Sequence, residues 1–190
     1  GKGAENGVLI KSAESLETTG KVDTIVFDKT GTITEGQPVV TDILAVEGFD
    51  QEELLTLAAS AEVGSEHPLG EAIVRYAAGK GLDFYKVETF NAITGHGIEE
   101  TIKDQHLFLG NKKLMNENNI DLTVLATDSD QLATQGKTPM YISVNHQLAG
   151  IIAVADTVKE SSLAAIQKLH KMGIEVAMIT GDNKRTAEAI

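Results

Sequence analysis

Two short apolar runs near opposite ends of this 190-residue chain constrain its fold most strongly. Residues 22–27 and 174–179 are rich in β-branched side chains, and each run leads directly into a short polar loop. Such runs are typical of buried parallel strands, which need a long connection between them. The intervening sequence alternates as antiparallel strands do. The sequence therefore predicts an α/β, Rossmann-like domain, split in sequence, with an α+β domain on an antiparallel sheet inserted between its halves.

Apolar periodicity divides the inserted stretch into helices and strands. Spacings of three and four residues predict helices over 52–61, from Pro68 onward, over 121–135 and over 159–172, with Ser65 as N-cap of the second. Alternation predicts strands over 84–90, 97–102 and 106–109, and a hairpin of 140–144 with 148–154. A further helix is expected to begin at residue 184.

Charge and composition exclude several kinds of partner and site. The formal net charge of −12 argues against nucleic acid and anionic membranes as partners, although local groups can still bind phosphate. The absence of cysteine excludes disulfides and thiolate metal sites. Aromatic residues are only 4% of the chain, so the core must consist mainly of Leu, Ile, Val and Ala. No apolar run approaches the roughly 18 residues of a membrane span, and we expect a soluble, intracellular chain.

The loop Asp28-Lys29-Thr30-Gly31-Thr32 follows the first apolar run. Ligands of open α/β sheets bind at the carboxyl ends of the strands, so Asp28 is expected in a reaction crevice. Gly31 lets the backbone approach a phosphate, and the hydroxyls of Thr30 and Thr32 can hold its oxygens. A carboxylate placed there can attack phosphorus and form an aspartyl phosphate. The alternative is that Asp28 only caps a turn, which is the common role of a lone Asp.

This loop resembles the phosphorylation motif of the P-type ATPases, a branch of the haloacid-dehalogenase superfamily. The resemblance implies that Asp28 accepts the γ-phosphate of ATP and that Lys29 and Thr30 belong to the catalytic loop. It also implies a Mg²⁺ ion held by the Asp28 carboxylate and the Thr30 backbone carbonyl. Phosphatases of the superfamily usually carry a second Asp at the position of Thr30, which serves as general acid and base. Thr30 cannot transfer that proton at neutral pH, so the resemblance favours a slowly hydrolysed phosphoenzyme.

The second loop, Thr180-Gly181-Asp182-Asn183, ends the last apolar run. Its Thr hydroxyl and Gly amide could bind a transferred phosphoryl group, and Asp182 could order the loop. The motif is weak alone, because such turns often start helices, but with the Asp28 loop it matches a second P-type ATPase motif. Residues 156–159 also resemble the family's segment that re-enters the phosphorylation domain, although Asp or Thr there could simply cap the next helix.

A third cluster resembles the nucleotide pocket of the heavy-metal (P1B) class. Residues 65–69, Ser-Glu-His-Pro-Leu, match a signature in which His67 lies against the adenine of ATP, while Glu62 occupies the position of a Glu that contacts the adenine edge. Gly95 and Gly97 resemble a Gly-x-Gly element that lets the backbone approach the nucleotide. Without the resemblance, a His near a helix start is usually structural or exposed, and a strand-to-strand turn explains both glycines.

The resemblance covers the whole chain and implies a piece of a larger pump. The expected organisation is a haloacid-dehalogenase-like phosphorylation domain formed by 1–34 and 155–190, truncated at its C-terminus, with a nucleotide-binding domain at 35–154. Its cofactors would be ATP and Mg²⁺, and its partners the membrane and actuator domains of the parent pump, with no nucleic acid. The parent would be an integral membrane protein that exports a metal cation, with Cu⁺ favoured, while the fragment would be cytoplasmic, monomeric and slow or inactive alone. The alternatives are a soluble superfamily phosphatase with a cap domain and a noncatalytic nucleotide-binding module.

Overall fold

The computed structural model of the chain describes residues 2–65 and 67–180. Within these residues the helices are α1 (Lys2–Glu5), α2 (Ala13–Thr19), α3 (Gln51–Glu62), α4 (Pro68–Gly79), α5 (Lys112–Glu117), α6 (Ala126–Thr134) and α7 (Glu160–Lys171), with a 3₁₀ turn at Thr123–Leu125. The strands in the same residues are β1 (Thr24–Asp28), β2 (Val39–Ala45), β3 (Val87–Ile93), β4 (Gly97–Ile102), β5 (Gln105–Gly110), β6 (Thr138–Val144), β7 (Gln147–Ala155) and β8 (Glu175–Ile179).

The described strands form two sheets. β1 and β8 pair in parallel, with Asp28 opposite Ile179, and we call this pair the terminal sheet. The remaining described strands form an antiparallel central sheet in the order β2-β7-β6-β5-β4-β3. The first and last described strands therefore pair in one parallel sheet, and an antiparallel sheet is inserted between them, as the sequence predicts. The prediction that both strands are buried is wrong, because exposed and half-buried residues alternate along β1 and β8.

Helices cover both faces of the central sheet. α3 and α4 pack on one face through a cluster of Leu, Ile, Val and Ala side chains that includes Leu54, Leu57 and Ile73. Each of these three side chains is at most 2% exposed, and burial of each stabilises the fold by about 1.5–3 kcal/mol. On the other face lie α5, the 3₁₀ turn and α6, with Leu114 and Met115 in a second cluster. The core is mainly aliphatic, as the composition predicts.

Side-chain caps fix where α3 and α4 begin. The Asp50 carboxylate accepts hydrogen bonds from the backbone N–H groups of Glu52 and Glu53, so α3 starts one residue earlier than predicted. The N-cap of α4 is His67, whose ring accepts from Leu69 N, so the prediction of Ser65 as N-cap is wrong. The Ser65 hydroxyl instead accepts from His67 N at 3.2 Å and shapes the approach to the helix.

Most predicted elements are present, with shifted bounds. The hairpin of β6 and β7 is confirmed, and its turn residues Asn145 and His146 have φ angles of 50° and 61°, which such a tight turn requires. The strand predicted from residue 84 begins only at Val87. The helix predicted over 121–135 is interrupted, because the 3₁₀ turn precedes α6. The helix expected from residue 184 lies outside the described residues.

The sequence patterns missed α1, α2, β2 and α5. The described residues of α2 have no buried side chain, so an apolar stripe could not reveal that helix. In β2 a bulge between Val40 and Asp42 breaks the alternation that marks a strand. α5 has only six residues, too few for helical periodicity to emerge.

Candidate phosphorylation and nucleotide site

Asp28 is the last residue of β1, and its side chain is exposed at the carboxyl end of the terminal sheet. Its register partner is Ile179, so Thr180 follows immediately on the neighbouring strand. The parallel pairing thus brings the beginnings of the two predicted phosphate loops to the same edge. Gly181 and Asp182, which the sequence also predicts in this site, lie outside the described residues.

The loop after Asp28 is a tight turn with non-helical backbone angles inside it. Thr30 is extended at φ −73° and ψ 121°, and Gly31 has φ +75°, a conformation that costs a residue with a Cβ more than it costs glycine. Thr34 closes the turn: its backbone N–H donates to Lys29 O at 3.1 Å, and its hydroxyl accepts from Gly31 N at 3.3 Å. Lys29 is buried, while Thr30 stays exposed beside Asp28.

Asp156 and Lys159 fasten this turn from the other side of the insertion. The Thr34 hydroxyl donates to Asp156 Oδ2 at 2.5 Å, and Gly36 N donates to Asp156 Oδ1 at 3.0 Å. Lys159 Nζ donates to Gly31 O at 2.7 Å, which places a cation against the loop that follows Asp28. Neither Asp156 nor Thr157 caps α7, because the N-cap residue is Lys159. The resemblance of 156–159 to the re-entry segment was the only sequence signal for these contacts.

Glu62 ends α3 as a buried carboxylate, 4% exposed. Its Oε2 has no hydrogen-bond partner among the described residues. A Cβ built on Gly70 would lie 2.1 Å from that oxygen, so glycine leaves the room that the carboxylate occupies. Burial raises the pKa of Glu62, while a hydrogen bond from Ser65 and the charge of His67 oppose the rise.

His67 caps α4 and remains exposed. Its Nδ1 accepts the hydrogen bond from Leu69 N at 3.3 Å, which leaves the Nε2 side of the ring to face a ligand. The predicted functional role and the structural role are therefore compatible, because they use different parts of one ring. The effect of His67 on the Glu62 carboxyl also shows that the two predicted pocket residues are neighbours.

Gly95 lies within the turn between β3 and β4, and Gly97 begins β4; their φ angles are 72° and 143°. A Cβ on Gly97 would lie 2.1 Å from Leu109 O, so the close approach of β5 is sufficient to explain this glycine. The carbonyl of Gly95 accepts from Asn111 Nδ2 at 2.9 Å, and Asn111 N donates to His96 O at the same distance. Strand packing and Asn111 therefore hold the turn in a fixed conformation.

Glu100 is the pocket residue that the motifs missed. It is 1% exposed on the α3 side of β4, and neither carboxyl oxygen has a hydrogen-bond partner among the described residues. Burial raises its pKa to about 8, and the neighbouring Glu62 carboxylate adds to the rise. Ile98 and Ile102 are buried on the same face, so period-two alternation could have placed Glu100 inside.

An open depression of about 410 Å³ lies over Glu100. Its wall includes Val63 and Gly64 after α3, and Phe90 of β3, which is 50% exposed. The surface is mainly apolar, with a buried carboxyl group as one of its few polar elements. Such a combination suits a flat, partly polar ligand such as a nucleotide base.

The profile of the haloacid dehalogenase-like hydrolase family matches residues 22–190. The chain belongs to this family. The chain's membership in this family confirms the predicted fold class. It also agrees with the parallel terminal sheet, which has Asp28 at its carboxyl edge. 

Relatives narrow the family to one branch. This chain is 54% identical over 191 aligned positions to a copper-exporting P-type ATPase of Staphylococcus aureus (strain JH9). The alignment covers all of this chain but only 23% of the relative. A zinc-transporting PIB-type ATPase in its E2.Pi state superposes with a TM-score of 0.77 at 36% identity, covering 98% of this chain and 30% of that one. The resemblance to heavy-metal P-type ATPases is thereby confirmed.

A catalytic domain gives the third comparison. The catalytic domain of the CPx-ATPase CopB-B, solved in a study of conformational changes upon nucleotide binding, matches with a TM-score of 0.67 at 25% identity, covering 95% of this chain and 62% of that one. Among the described residues of the present hydrolase-family chain, no helix is both long and apolar enough to cross a membrane. The same residues contain no group of three or more His, Cys, Asp or Glu side chains arranged to hold a metal ion.

Proposed function

We propose that this chain is the ATP-binding and aspartyl-phosphorylation region of a heavy-metal-translocating P-type ATPase that exports Cu⁺. The observation that carries the proposal is the position of Asp28, exposed at the carboxyl end of β1 in register with β8 and followed by the turn that Thr34, Asp156 and Lys159 fix. In the parent pump the membrane and actuator domains would supply the transport path and complete the cycle. The region would then be the cytoplasmic part of a membrane protein and would itself be monomeric.

The proposed reaction is an in-line phosphoryl transfer. A carboxylate oxygen of Asp28 attacks the γ-phosphorus of ATP, the bond from that phosphorus to the bridging oxygen breaks, and ADP leaves with the electron pair. Catalysis of this kind depends mainly on positioning and on electrostatic stabilisation. Lys159 holds the carbonyl of Gly31, and Thr34 holds Lys29 O, so the backbone that faces the incoming phosphate is already ordered. Thr180, with Gly181 and Asp182, would receive the transferred group.

The oxygen donors near Asp28 suit a hard divalent cation. The Asp28 carboxylate and the Thr30 backbone carbonyl would hold Mg²⁺, which when bound would screen the repulsion between carboxylate and phosphate. The Thr30 hydroxyl neither ionises nor accepts a proton from water at neutral pH, so water attack on the aspartyl phosphate would lack a general base at this position. This argues for a phosphoenzyme that persists rather than for a phosphatase.

The nucleotide would bind at Glu62, His67, Gly95 and Gly97, between the end of α3, the start of α4 and the β3–β4 turn. The Glu62 carboxylate, with its unpartnered oxygen, fits the amino edge of adenine, and the exposed His67 ring can lie against the base. Gly95 and Gly97 would let the backbone approach the nucleotide. The apolar depression lined by Val63, Gly64, Phe90 and Glu100 gives the base a surface to cover.

Phosphorylation of the parent pump by [γ-³²P]ATP tests this proposal. Asp28→Asn should abolish the acid-stable phosphoenzyme, while ATP binding stays within about threefold of the wild-type value. Asp23→Asn is the matched control, because Asp23 precedes the same strand and is also exposed. Phosphorylation that persists in Asp28→Asn, or that disappears equally in both variants, would refute Asp28 as the nucleophile.

A further inference from the structure

Glu100 is the most unusual side chain in the described structure that the proposed phosphorylation chemistry does not use. Its carboxyl group is buried at 1% exposure, and neither oxygen has a hydrogen-bond partner among the described residues. A buried carboxyl group left in this condition costs free energy unless a ligand supplies the missing contact. Its strand neighbours are the apolar Phe90 and Leu107, which cannot supply one.

The charged groups around Glu100 do not neutralise it. Glu62 from α3 faces it with a second carboxylate, and Tyr85 and Lys86 from the segment before β3 line the same depression. Neither Tyr85 nor Lys86 hydrogen-bonds to either Glu100 oxygen. Two carboxyl groups that are close together and poorly solvated cannot both ionise readily, so one of them keeps its proton. Glu62 has the help of Ser65 and His67 in holding a negative charge, so the proton stays on Glu100.

One ionised and one protonated carboxyl group present one acceptor and one donor. The edge of adenine presents the complementary pair, since its N6 amino group donates and its N1 accepts. The depression above Glu100 is open enough to admit a base, and it is walled by apolar side chains. Guided by these positions, we propose that Glu100 is an adenine-binding residue that donates a hydrogen bond from its carboxyl group to N1 while the Glu62 carboxylate accepts from the N6 amino group. This inference rests on the proposed nucleotide site.

Base analogues and matched variants of the 190-residue chain test the assignment. Binding of ATP, and of 1-deaza-ATP, which lacks N1, would be measured calorimetrically without divalent cation at pH 7. Glu100→Leu removes the donor and should weaken ATP binding roughly 3- to 10-fold. The same variant should bind 1-deaza-ATP as well as the wild type does, because that analogue has no N1 to receive the bond. Glu100→Gln keeps an N–H donor and should bind ATP within about threefold of the wild type.

The pH dependence gives an independent readout. The donor form of Glu100 is lost as pH rises through about 8, so wild-type affinity for ATP should fall roughly tenfold between pH 7 and pH 9. Glu100→Gln has no proton to lose there and should show a smaller decrease. Glu99→Gln is the control, because Glu99 lies on the same strand but is partly exposed and binds Asn91 and His106 instead. Its ATP affinity should follow the wild type at both pH values.

The outcomes separate this inference from the proposed function. If the wild type binds ATP and Glu62→Gln weakens that binding, but Glu100→Leu binds ATP and 1-deaza-ATP like the wild type, the role of Glu100 is refuted and the nucleotide site stands. An equal loss of both nucleotides in Glu100→Leu would also refute the N1 contact, since it would indicate a general distortion of the pocket. If the wild type does not bind ATP, the nucleotide site and the role of Glu100 are both overturned.

Discussion

Replacement of Glu100 by Gln should stabilise the fold in a pH-dependent way. Burial and the Glu62 carboxylate raise the pKa of Glu100 from 4.5 to about 8. The folded state therefore binds a proton that the unfolded chain releases above pH 4.5, and the contribution of Glu100 to stability is lost progressively as pH rises towards 8. Gln has nearly the same shape and stays neutral at every pH, so it does not pay this cost.

The magnitude follows from the pKa difference, at about 1.4 kcal/mol per pH unit. From the unfolded value of 4.5 to pH 7 the span is about 2.5 units, so the variant should be more stable than the wild type by up to about 3 kcal/mol at pH 7. The advantage should vanish below pH 4.5 and reach a plateau of up to about 5 kcal/mol above pH 8. At pH 7 it corresponds to a rise in melting temperature of roughly 6–12 °C.

Urea unfolding between pH 4.5 and pH 8.5 would measure this difference. Glu99→Gln is the matched control of opposite sign, because hydrogen bonds from Asn91 and His106 lower the pKa of Glu99. Its loss should destabilise the protein at neutral pH, and the effect should disappear as pH falls through the pKa of the folded state. A stability difference between Glu100→Gln and the wild type that does not change with pH would contradict the placement of Glu100 as a buried acid.

Three further pairs of substitutions test the geometry of the two sites. Asp156→Ala removes the carboxylate that accepts from the Thr34 hydroxyl and from Gly36 N, although Lys29 O remains as a second acceptor for the hydroxyl. The variant should lose about 2–4 kcal/mol of stability in urea unfolding, whereas Thr157→Ala, at an exposed neighbour, should change little. Equal effects of the two substitutions would show that Asp156 does not hold the turn in place. Gly97→Ala places a Cβ 2.1 Å from Leu109 O and should lower the melting temperature far more than Gly95→Ala. The Cβ of Gly95→Ala meets open space, so that variant should lose only about 1 kcal/mol of stability. The reverse order of melting temperatures would contradict the packing of β4 on β5. His67→Asn keeps a good N-cap, so it should preserve thermal stability while weakening ATP binding in calorimetry. His67→Ala should lower both the thermal stability and the ATP affinity. Unchanged ATP affinity in both variants would leave His67 a purely structural role.

The elements that the sequence predicts well are those in which local pattern and tertiary position agree. β1 and β8 lie within the two predicted apolar runs, and β4 matches its predicted bounds of 97–102 because the buried Ile98 and Ile102 alternate with half-buried positions. The parallel pairing that joins Asp28 to Ile179 could be inferred from the polar loops that end both runs. The division of the chain at 34/35 and 154/155 stays a prediction.

The parts that could not be predicted depend on contacts between residues far apart in sequence. Nothing local to Asp156 indicates that its carboxylate binds Thr34 and Gly36 across the whole insertion. Glu100 was missed for a different reason. Its alternation with Ile98 and Ile102 could have placed it on the buried face, but a Glu on a strand is ordinarily assigned to the solvated face, and its position beside Glu62 depends on tertiary packing. The assignment of Ser65 as N-cap failed because it followed capping propensity, whereas Pro68 is the first residue of α4 and the N-cap is therefore the residue directly before it, His67.

Chemical mapping of the phosphorylated residue tests directly whether Asp28 is the nucleophile. Borohydride reduces an aspartyl phosphate to homoserine, so the parent pump would be phosphorylated with ATP and Mg²⁺, quenched in acid, reduced and digested for mass spectrometry. The assignment of Asp28 as the nucleophile predicts homoserine at position 28 and Asp at position 23, with no homoserine when ATP is omitted. Homoserine at another position, or a phosphoryl group on a Ser, Thr or His with Asp28 unmodified, would contradict it.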